Sequence, residues 1–401
     1  MAARIDAQTP APADELVFGV ILVGAQDDQG WSQAHYEGGL QAEIALSGTR
    51  MLVYEGLNPT DSPNVTLGGV VGSMVSQGAR VIFTTSDTFE GDTNLVAAQF
   101  PDVAFVMISG DDVLTGEAPP NVSNIFAQME WGKMIAGCAA ALMTETGQIG
   151  YLGPLINDET RRFAASAHLG ARHCFERFRQ RPIEELTFSV TWIGFWFNIP
   201  GQTLDPSVVA REFFDSGADV VISGIDTNEA LRVAGERTEA GDRVFAVPYN
   251  YNDACSLAPA ACLGVNYFQW DSVYIDVLEQ VQAGTWRQQW SWLPPDWRVV
   301  NQQFAEDLAG LTADDGELVL STVNFRPGQG LTGNAAARLQ SFTLDLTRYD
   351  TNPFVPQSFA LWTGPLRFQD GSLLADDNQF VDVLDVWYLP QLLEGMIGAS
   401  E

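Results

Sequence analysis

The residues of this chain that are able to do chemistry gather just beyond its apolar runs. The first run, Leu16–Val23, gives way to a loop between Gly24 and Gly30 that carries Asp27 and Asp28, and Trp31 follows it. Glu55 ends a second run, Ser86, Asp87 and Phe89 follow a third, and Ser109, Asp111 and Asp112 a fourth. Later in the chain Leu155 and Asn157, Trp196 and Phe197, Asp226 and Thr227, and Tyr249, Asn250 and Tyr251 take the same kind of position, and Trp270 precedes a helical stretch. Carboxylates and amides accept hydrogen bonds from N–H and O–H groups, and indole faces stack on flat rings. The set therefore suits a flat, hydrogen-bond-donating ligand held between aromatic faces.

Each of these residues also has a plainer use. Trp31 opens a helix and can simply cover a core, and Asp27 and Asp28 can serve as charges at a helix N-terminus, where the macrodipole favours them. Glu55 and Asp226 are the stronger carboxylates, because each ends an apolar strand where a solvated charge has little room. His35, one turn after Trp31, reads as an ordinary exposed histidine. Trp192 alternates within a strand and reads as buried, whereas Trp196 lies past the strand end and is the better stacking candidate.

The elements that position these residues follow from periodicity. Leu16–Val23 is an almost unbroken apolar run rich in β-branched residues, as expected of a strand covered on both faces, and Ala34, Gly38, Ala42 and Ala45 then recur at helical spacing. Strands at 50–57, 79–86 and 103–110 alternate with helices at 63–78 and 91–100, and Gly116–Pro120 breaks the pattern. It restarts with NVSNIFAQ at 121–128 and runs through helices at 131–144, 159–179, 205–216 and 228–240, with strands between them. Such alternation means parallel βαβ units, and loops at the carboxyl ends of their strands are where open α/β sheets hold ligands. The expected fold class is α/β, with two doubly wound Rossmann-like lobes joined by a hinge, so that the strand ends converge on one cleft. Residues 1–15 read as a tether, 16–120 with about 252–358 as the first lobe, and 121–251 with about 359–401 as the second. Within this plan 287–357 is a divergent Trp/Pro-rich segment, and its tryptophans are expected to pack against the lobes rather than to form a ligand platform.

Composition narrows the function further. The net charge is −31, from 51 acidic residues against 20 basic ones, with Lys133 the sole lysine. A chain so acidic repels phosphate backbones and anionic lipid, which argues against nucleic acid as a partner and suits solubility in a salty or extracytoplasmic medium. No apolar run reaches the roughly 18–20 residues needed for a spanning helix. Of the four cysteines, Cys255 and Cys262 share the loop NDACSLAPAACLG and are a candidate disulfide, Cys138 reads as a small core residue, and Cys174 is ambiguous. The three histidines are scattered, no Cys/His cluster has metal-ligand spacing, and neither GxSxG, GxxxxGK[ST] nor GxGxxG occurs, so no cofactor is expected. The acidic loop DDQGW keeps one enzymatic alternative open, a nucleoside hydrolase with aspartates on a calcium ion, although no further ligands stand at recognisable spacing.

Taken together, several stretches resemble the basic membrane protein family of ABC-transporter substrate-binding proteins, which has the type I periplasmic binding fold and includes purine nucleoside receptors. They are DDQGWSQAHYEG, VYEGLNP, GARVIFTTSDTF, FPDVAFVMISG, NVSNIFAQMEWGKMIAG, VTWIGFWFNI, DPSVVAREFFDSGADVVISGIDTNEA, YFQWDSVYIDVLEQVQAGTW, WTGPLRFQDG and LLEGMIG. Order and spacing carry the resemblance over residues 16–286 and 359–401. It implies a monomeric, non-enzymatic receptor with three hinge crossovers that closes on a purine base or nucleoside and delivers it to a membrane permease. It also implies an extracytoplasmic lipoprotein anchored through an N-terminal cysteine; no cysteine precedes Cys138 here, so such an anchor would lie outside this chain. The stacking aromatic of the family falls on Trp31, the acidic position of the second lobe on Asp226, and its aromatic on Trp196. The chain departs from the family in NIPGQTLDP and in 287–357, either of which would reshape the cleft. Another small solute, such as a sugar, remains an alternative ligand, since sugars also stack on tryptophan.

Overall fold

The computed structural model describes residues 15–310, 321–355 and 358–401. The expected tether, apart from Glu15, lies outside the described residues, as do 311–320 and 356–357 of the Trp/Pro-rich segment. In chain order the structure begins β1 (Leu16–Leu22), α1 (Trp31–Ala45), β2 (Thr49–Tyr54), α2 (Leu67–Ser76), β3 (Ala79–Thr85), α3 (Glu90–Ala97), β4 (Ala104–Met107), α4 (Asp112–Thr115) and β5 (Val122–Ala127). It continues α5 (Met129–Met143), β6 (Gln148–Gly153), α6 (Asp158–Arg177), β7 (Thr187–Trp192), α7 (Pro206–Asp215), β8 (Val220–Ser223), α8 (Glu229–Glu239), β9 (Phe245–Val247), β10 (Tyr249–Asn250) and β11 (Gly264–Phe268). The remainder is α9 (Asp271–Gln282), β12 (Trp290–Leu293), α10 (Trp297–Leu308), β13 (Val323–Pro327), α11 (Asn334–Asp350), β14 (Leu366–Arg367), β15 (Leu373–Ala375), α12 (Val383–Trp387) and β16 (Met396–Ile397).

These elements form two compact units. Of the described residues, the first unit holds 15–127, 269–294 and 321–322, and the second holds the rest. In the first unit a six-stranded sheet runs β12-β5-β4-β3-β1-β2 with every pairing parallel. All of β1 is buried, as its unbroken apolar sequence requires when helices cover both faces. In the second unit a five-stranded sheet runs β16-β7-β6-β8-β9, again all parallel. The first order reverses direction between β1 and β3 and the second between β6 and β8, after which β16 returns to the β7 edge. Those reversals are the topological switch points, where the outgoing loops diverge and leave room for a ligand.

The structure divides the chain differently from the sequence reading at three places. NVSNIFAQ, read as the start of the second lobe, is β5 of the first unit's sheet, because its backbone pairs with β4 on one side and β12 on the other. Strand β11 lies in the second unit, and α9 alone carries the chain back to the first. The Trp/Pro-rich stretch is regular: Trp290–Leu293 closes the edge of the first sheet, while α10, β13 and α11 belong to the second unit. There the Trp297 ring meets Trp131 edge-on with centroids 5.3 Å apart and its Nε1 donates to Asp350, so this tryptophan is core.

The second unit is built on a close pair of helices. A Cβ added at Gly137 of α5 would lie 1.8 Å from the Ala167 carbonyl oxygen, and one at Gly170 of α6 2.0 Å from that of Met134. Only a hydrogen at those two positions allows the backbones to approach so nearly. Cys138 and Cys174 are disulfide-bonded across the same pair. Cys138 is thus a core residue, as its sequence suggested, but a bonded one.

Candidate functional site

In the first unit the switch point carries an aromatic platform. Trp31 is the first residue of α1, directly after the loop leaving β1, and its Nε1 donates to the carbonyl of Thr85, the last residue of β3, at 2.7 Å. One indole thus bridges the ends of the two strands that flank the switch. Trp31 exposes 8% of its surface. His35 meets it edge-on at 4.4 Å between centroids, Trp270 edge-on at 5.7 Å, and Phe126 lies tilted at 6.4 Å. Four elements therefore fix the ring plane. Gly38, one turn beyond His35, permits this, since a Cβ there would lie 2.8 Å from that of Trp270.

His35 is fully buried rather than exposed, which corrects the sequence reading. Its ring stacks on Trp270 at 4.5 Å, and its Nδ1 shares a hydrogen bond with the Tyr274 hydroxyl at 3.1 Å. Both partners come from α9 and the residue before it, more than 200 residues away in sequence, so no local pattern reveals them. Burial pushes the imidazole well below its usual pKa and keeps it neutral.

The polar residues around Trp31 fall into distinct roles. Asp28 caps α1: Oδ1 accepts from the Gly30 and Gln33 amides at 2.8 and 3.0 Å, and Oδ2 from the Ser32 amide at 3.0 Å. Burial pushes its carboxyl up to about 6 against the pull of those N–H donors. Asp27 beside it is exposed. Glu55 is exposed too, not confined as its strand-end position suggested, and accepts from the Gln26 amide at 2.9 Å. Immediately after Thr85, Ser86 and Asp87 both accept from the Thr88 amide, at 3.4 and 2.8 Å, and Phe89 is buried. On the neighbouring β4 loop, one Glu90 oxygen accepts from the amides of Asp111 and Asp112 at 2.7 and 3.1 Å.

In the second unit the corresponding strand ends hold a buried polar cluster. Asp226, two residues past Gly224, is 5% exposed; its Oδ1 accepts from Asn250 Nδ2 at 3.0 Å and its backbone amide donates to the Trp196 carbonyl at 2.8 Å. Asn250 is fully buried with φ at 74°, a left-handed conformation that asparagine tolerates better than most residues. Trp196 is buried, Phe197 is half-buried and meets Phe195 edge-on at 5.0 Å, and the Thr227 hydroxyl donates to Glu229 at 2.6 Å. Trp192 is half-buried, not buried as its alternation suggested, because its Nε1 reaches out to the Ala399 carbonyl at 2.7 Å. Cys255 and Cys262 are bonded, which closes the loop between β10 and β11.

Three charged residues escaped the sequence reading. Lys133 on α5 is fully buried, donates to the Ser223 carbonyl at 2.9 Å, and lies 3.3 Å from the centroid of the Tyr249 ring. Glu130, one turn earlier, pairs with Arg162 of α6 at 2.7 Å with both side chains buried, and the guanidinium stacks over Trp387 at 4.2 Å. Burial pushes the Glu130 carboxyl up to about 7. All three lie on helices, and none was among the candidates read from the strand ends. The structure thus brings the predicted residues into two groups, Trp31 with Trp270, Asp28, Ser86, Asp87 and Phe89 in one unit, and Asp226 with Asn250 and Trp196 in the other.

Residues 16–177 match the model of the Bmp family, described as ABC transporter substrate-binding protein PnrA-like. The chain is 27% identical over 365 residues to a purine-binding protein of Brucella abortus, covering 90% of this chain and 86% of that one. It is 26% identical over 294 residues to a Haloferax volcanii protein named for glucose binding by an ABC transporter, covering 72% of this chain and 66% of that one. Among solved structures, an ABC-transporter solute-binding protein from Aeropyrum pernix superposes with a TM-score of 0.59 at 14% identity, covering 83% of this chain and 86% of that chain. One from Conexibacter woesei gives 0.57 at 17% identity, covering 84% of this chain and 98% of that chain. At such identities the superpositions speak for the fold, that of the type I periplasmic solute-binding proteins.

Proposed function

From a chain whose residues 16–177 match the Bmp family of ABC-transporter substrate-binding proteins, we propose a receptor rather than an enzyme, with a purine base or nucleoside as its ligand. The observation that carries this reading is the Trp31 indole, held by the Thr85 carbonyl and by rings on three sides at the first sheet's switch point. A flat platform fixed before the ligand arrives loses little entropy on binding, and a purine offers it the largest flat face among common solutes. The name of the Brucella relative, matched over nearly the whole chain, supports the same class.

In the first unit the proposed ligand contacts are Trp31, Asp27, Glu55, Ser86, Asp87, Phe89 and Trp270. Taken by itself, the second unit offers the candidates Trp196, Phe197, Asp226, Thr227 and Asn250. Asp28 acts by setting the loop through its cap, which leaves the exposed Asp27 as the acceptor for a ligand N–H. The receptor works as a monomer outside the cytoplasm, lipid-anchored beside a membrane permease that takes the ligand from it. The two disulfides support that compartment, since such bonds persist where the medium is oxidising.

The glucose reading rests on the Haloferax relative and on the same aromatic and carboxylate groups. A thermal-shift panel of adenine, guanine, adenosine, inosine and glucose separates the two. Purines are expected to raise the melting temperature and glucose to leave it unchanged; the reverse pattern rejects the purine assignment.

A further inference from the structure

Away from Trp31, the first unit carries an open pocket of about 240 Å³ at the amino ends of β3 and β4. Arg80 of β3, Pro101 and Asp102 before β4, Val281 and Gly284 at the end of α9, and Trp286 before β12 line it. Arg80 and Thr85 stand near opposite ends of β3, so roughly 17 Å of strand separates the pocket from the carbonyl that holds Trp31. Pockets for drug-sized ligands run to about 300–1,000 Å³, so this one suits a smaller solute. Two opposite charges face it. Arg80 and Asp102 are both exposed, and neither side chain has a hydrogen-bond or ion-pair partner among the described residues, each other included. With 51 acidic residues to 20 basic ones, charge abundance alone would rarely leave an arginine without a carboxylate. Trp286 is half-buried, and its Nε1 is a buried donor with no acceptor among the described residues. A Cβ at Gly284 would meet no atom within 4 Å, so the pocket is unobstructed on that side.

We propose that this pocket is a binding site for a small zwitterion of the α-amino-acid type, separate from the ligand of the switch point. The Arg80 guanidinium takes the carboxylate, whose geometry its fork of N–H groups matches. Asp102 takes the ammonium, with the C-terminal end of α9 adding partial negative charge on the same wall. Pro101, Val281 and the Trp286 ring receive the apolar side chain. A ligand with both charges is favoured over one with either alone, because a simple anion meets Asp102 and a simple cation meets Arg80. The site is independent of the purine reading, since none of its residues belongs to the switch-point group.

The test is calorimetric titration with L-leucine and L-phenylalanine, and with leucinamide and N-acetylleucine, which lack the carboxylate and the ammonium charge respectively. Wild type should bind at least one of the two amino acids, and each leucine derivative about tenfold more weakly than leucine or worse. Arg80→Gln should weaken leucine binding about tenfold and leave leucinamide as in wild type, while Asp102→Asn should weaken leucine about as much and leave N-acetylleucine as in wild type. Both substitutions fall on exposed side chains, so the variants should fold, and adenosine titrations of the two should match wild type. No heat from either amino acid, or amino-acid binding that both substitutions leave within about twofold of wild type, overturns the proposal. N-acetylleucine binding as tightly as leucine, with a loss only in Arg80→Gln, makes the pocket an anion site and overturns the zwitterion assignment. Amino-acid binding by a wild type that ignores adenosine leaves this site standing and rejects the purine reading instead.

Discussion

Replacing Trp31 separates the two things this side chain does. Its indole is 8% exposed and its Nε1 donates to Thr85 at 2.7 Å, so Trp31→Ala removes a buried aromatic and a hydrogen bond together. Losing the buried ring costs about 3–5 kcal/mol of stability. If the remaining face stacks on a purine, affinity falls by a further 1–3 kcal/mol, borrowing the magnitude of about 1–3 kcal/mol per base for aromatic stacking, which is roughly a 5- to 150-fold rise in Kd. Trp31→Phe keeps a stacking face but leaves the Thr85 carbonyl without its indole donor, at a cost of about 1–3 kcal/mol in stability. Its Kd for adenosine should rise by less than about tenfold. Urea unfolding gives the stability change and calorimetry with adenosine gives the affinity. A Trp31→Ala protein that is destabilised as expected yet binds within twofold of wild type shows the indole to be core alone, and refutes its part in recognition.

Other expectations concern the frame that holds the site. Gly137→Ala forces α5 away from the Ala167 carbonyl, 1.8 Å from the new methyl, and should destabilise by about 3 kcal/mol or more, read as a lower urea midpoint. Removing the Cys138–Cys174 bond, whose partners are 36 residues apart, should cost about 4 kcal/mol through the freed unfolded chain, against about 2–2.5 for Cys255–Cys262 at a separation of 7. Equal losses in the two double-alanine variants would contradict that loop-length account. Asp271 is buried and its carboxyl is pushed up to about 6, so folding favours its protonated form. That contribution is complete below the unfolded pKa near 4 and is lost as pH rises through about 6, so Asp271→Asn should gain on wild type by up to about 3 kcal/mol between pH 4 and 7. A difference that does not change with pH would show the carboxyl to be ionised throughout.

Much of the architecture was legible because it is written locally. The apolar runs became β1, β3 and β8 to within a few residues, and helices such as α6 and α7 begin where Asn157 and Asp205 cap them. What the sequence hid depends on partners far along the chain. NVSNIFAQ looks like any strand opening a lobe, and only its pairing with β4 and β12 assigns it to the first unit. His35 looked exposed because Trp270 and Tyr274, which bury it, lie just before α9 and on it. The bond between Cys138 and Cys174 joins two helices with no spacing signature, and Lys133 carried no mark other than being alone in composition. Strand ends led the sequence reading to Trp31 and Asp226, since βαβ topology fixes where loops emerge. They did not separate the capping Asp28 from the exposed Asp27, a distinction that rests on the backbone amides of one helical turn.

The central claim is that this receptor recognises a purine. Calorimetric titration of the wild-type protein with adenosine, adenine and glucose tests it most directly. One-to-one binding of a purine, weakened in Trp31→Ala and absent for glucose, is the result predicted. One-to-one binding of glucose with no heat from either purine would contradict it.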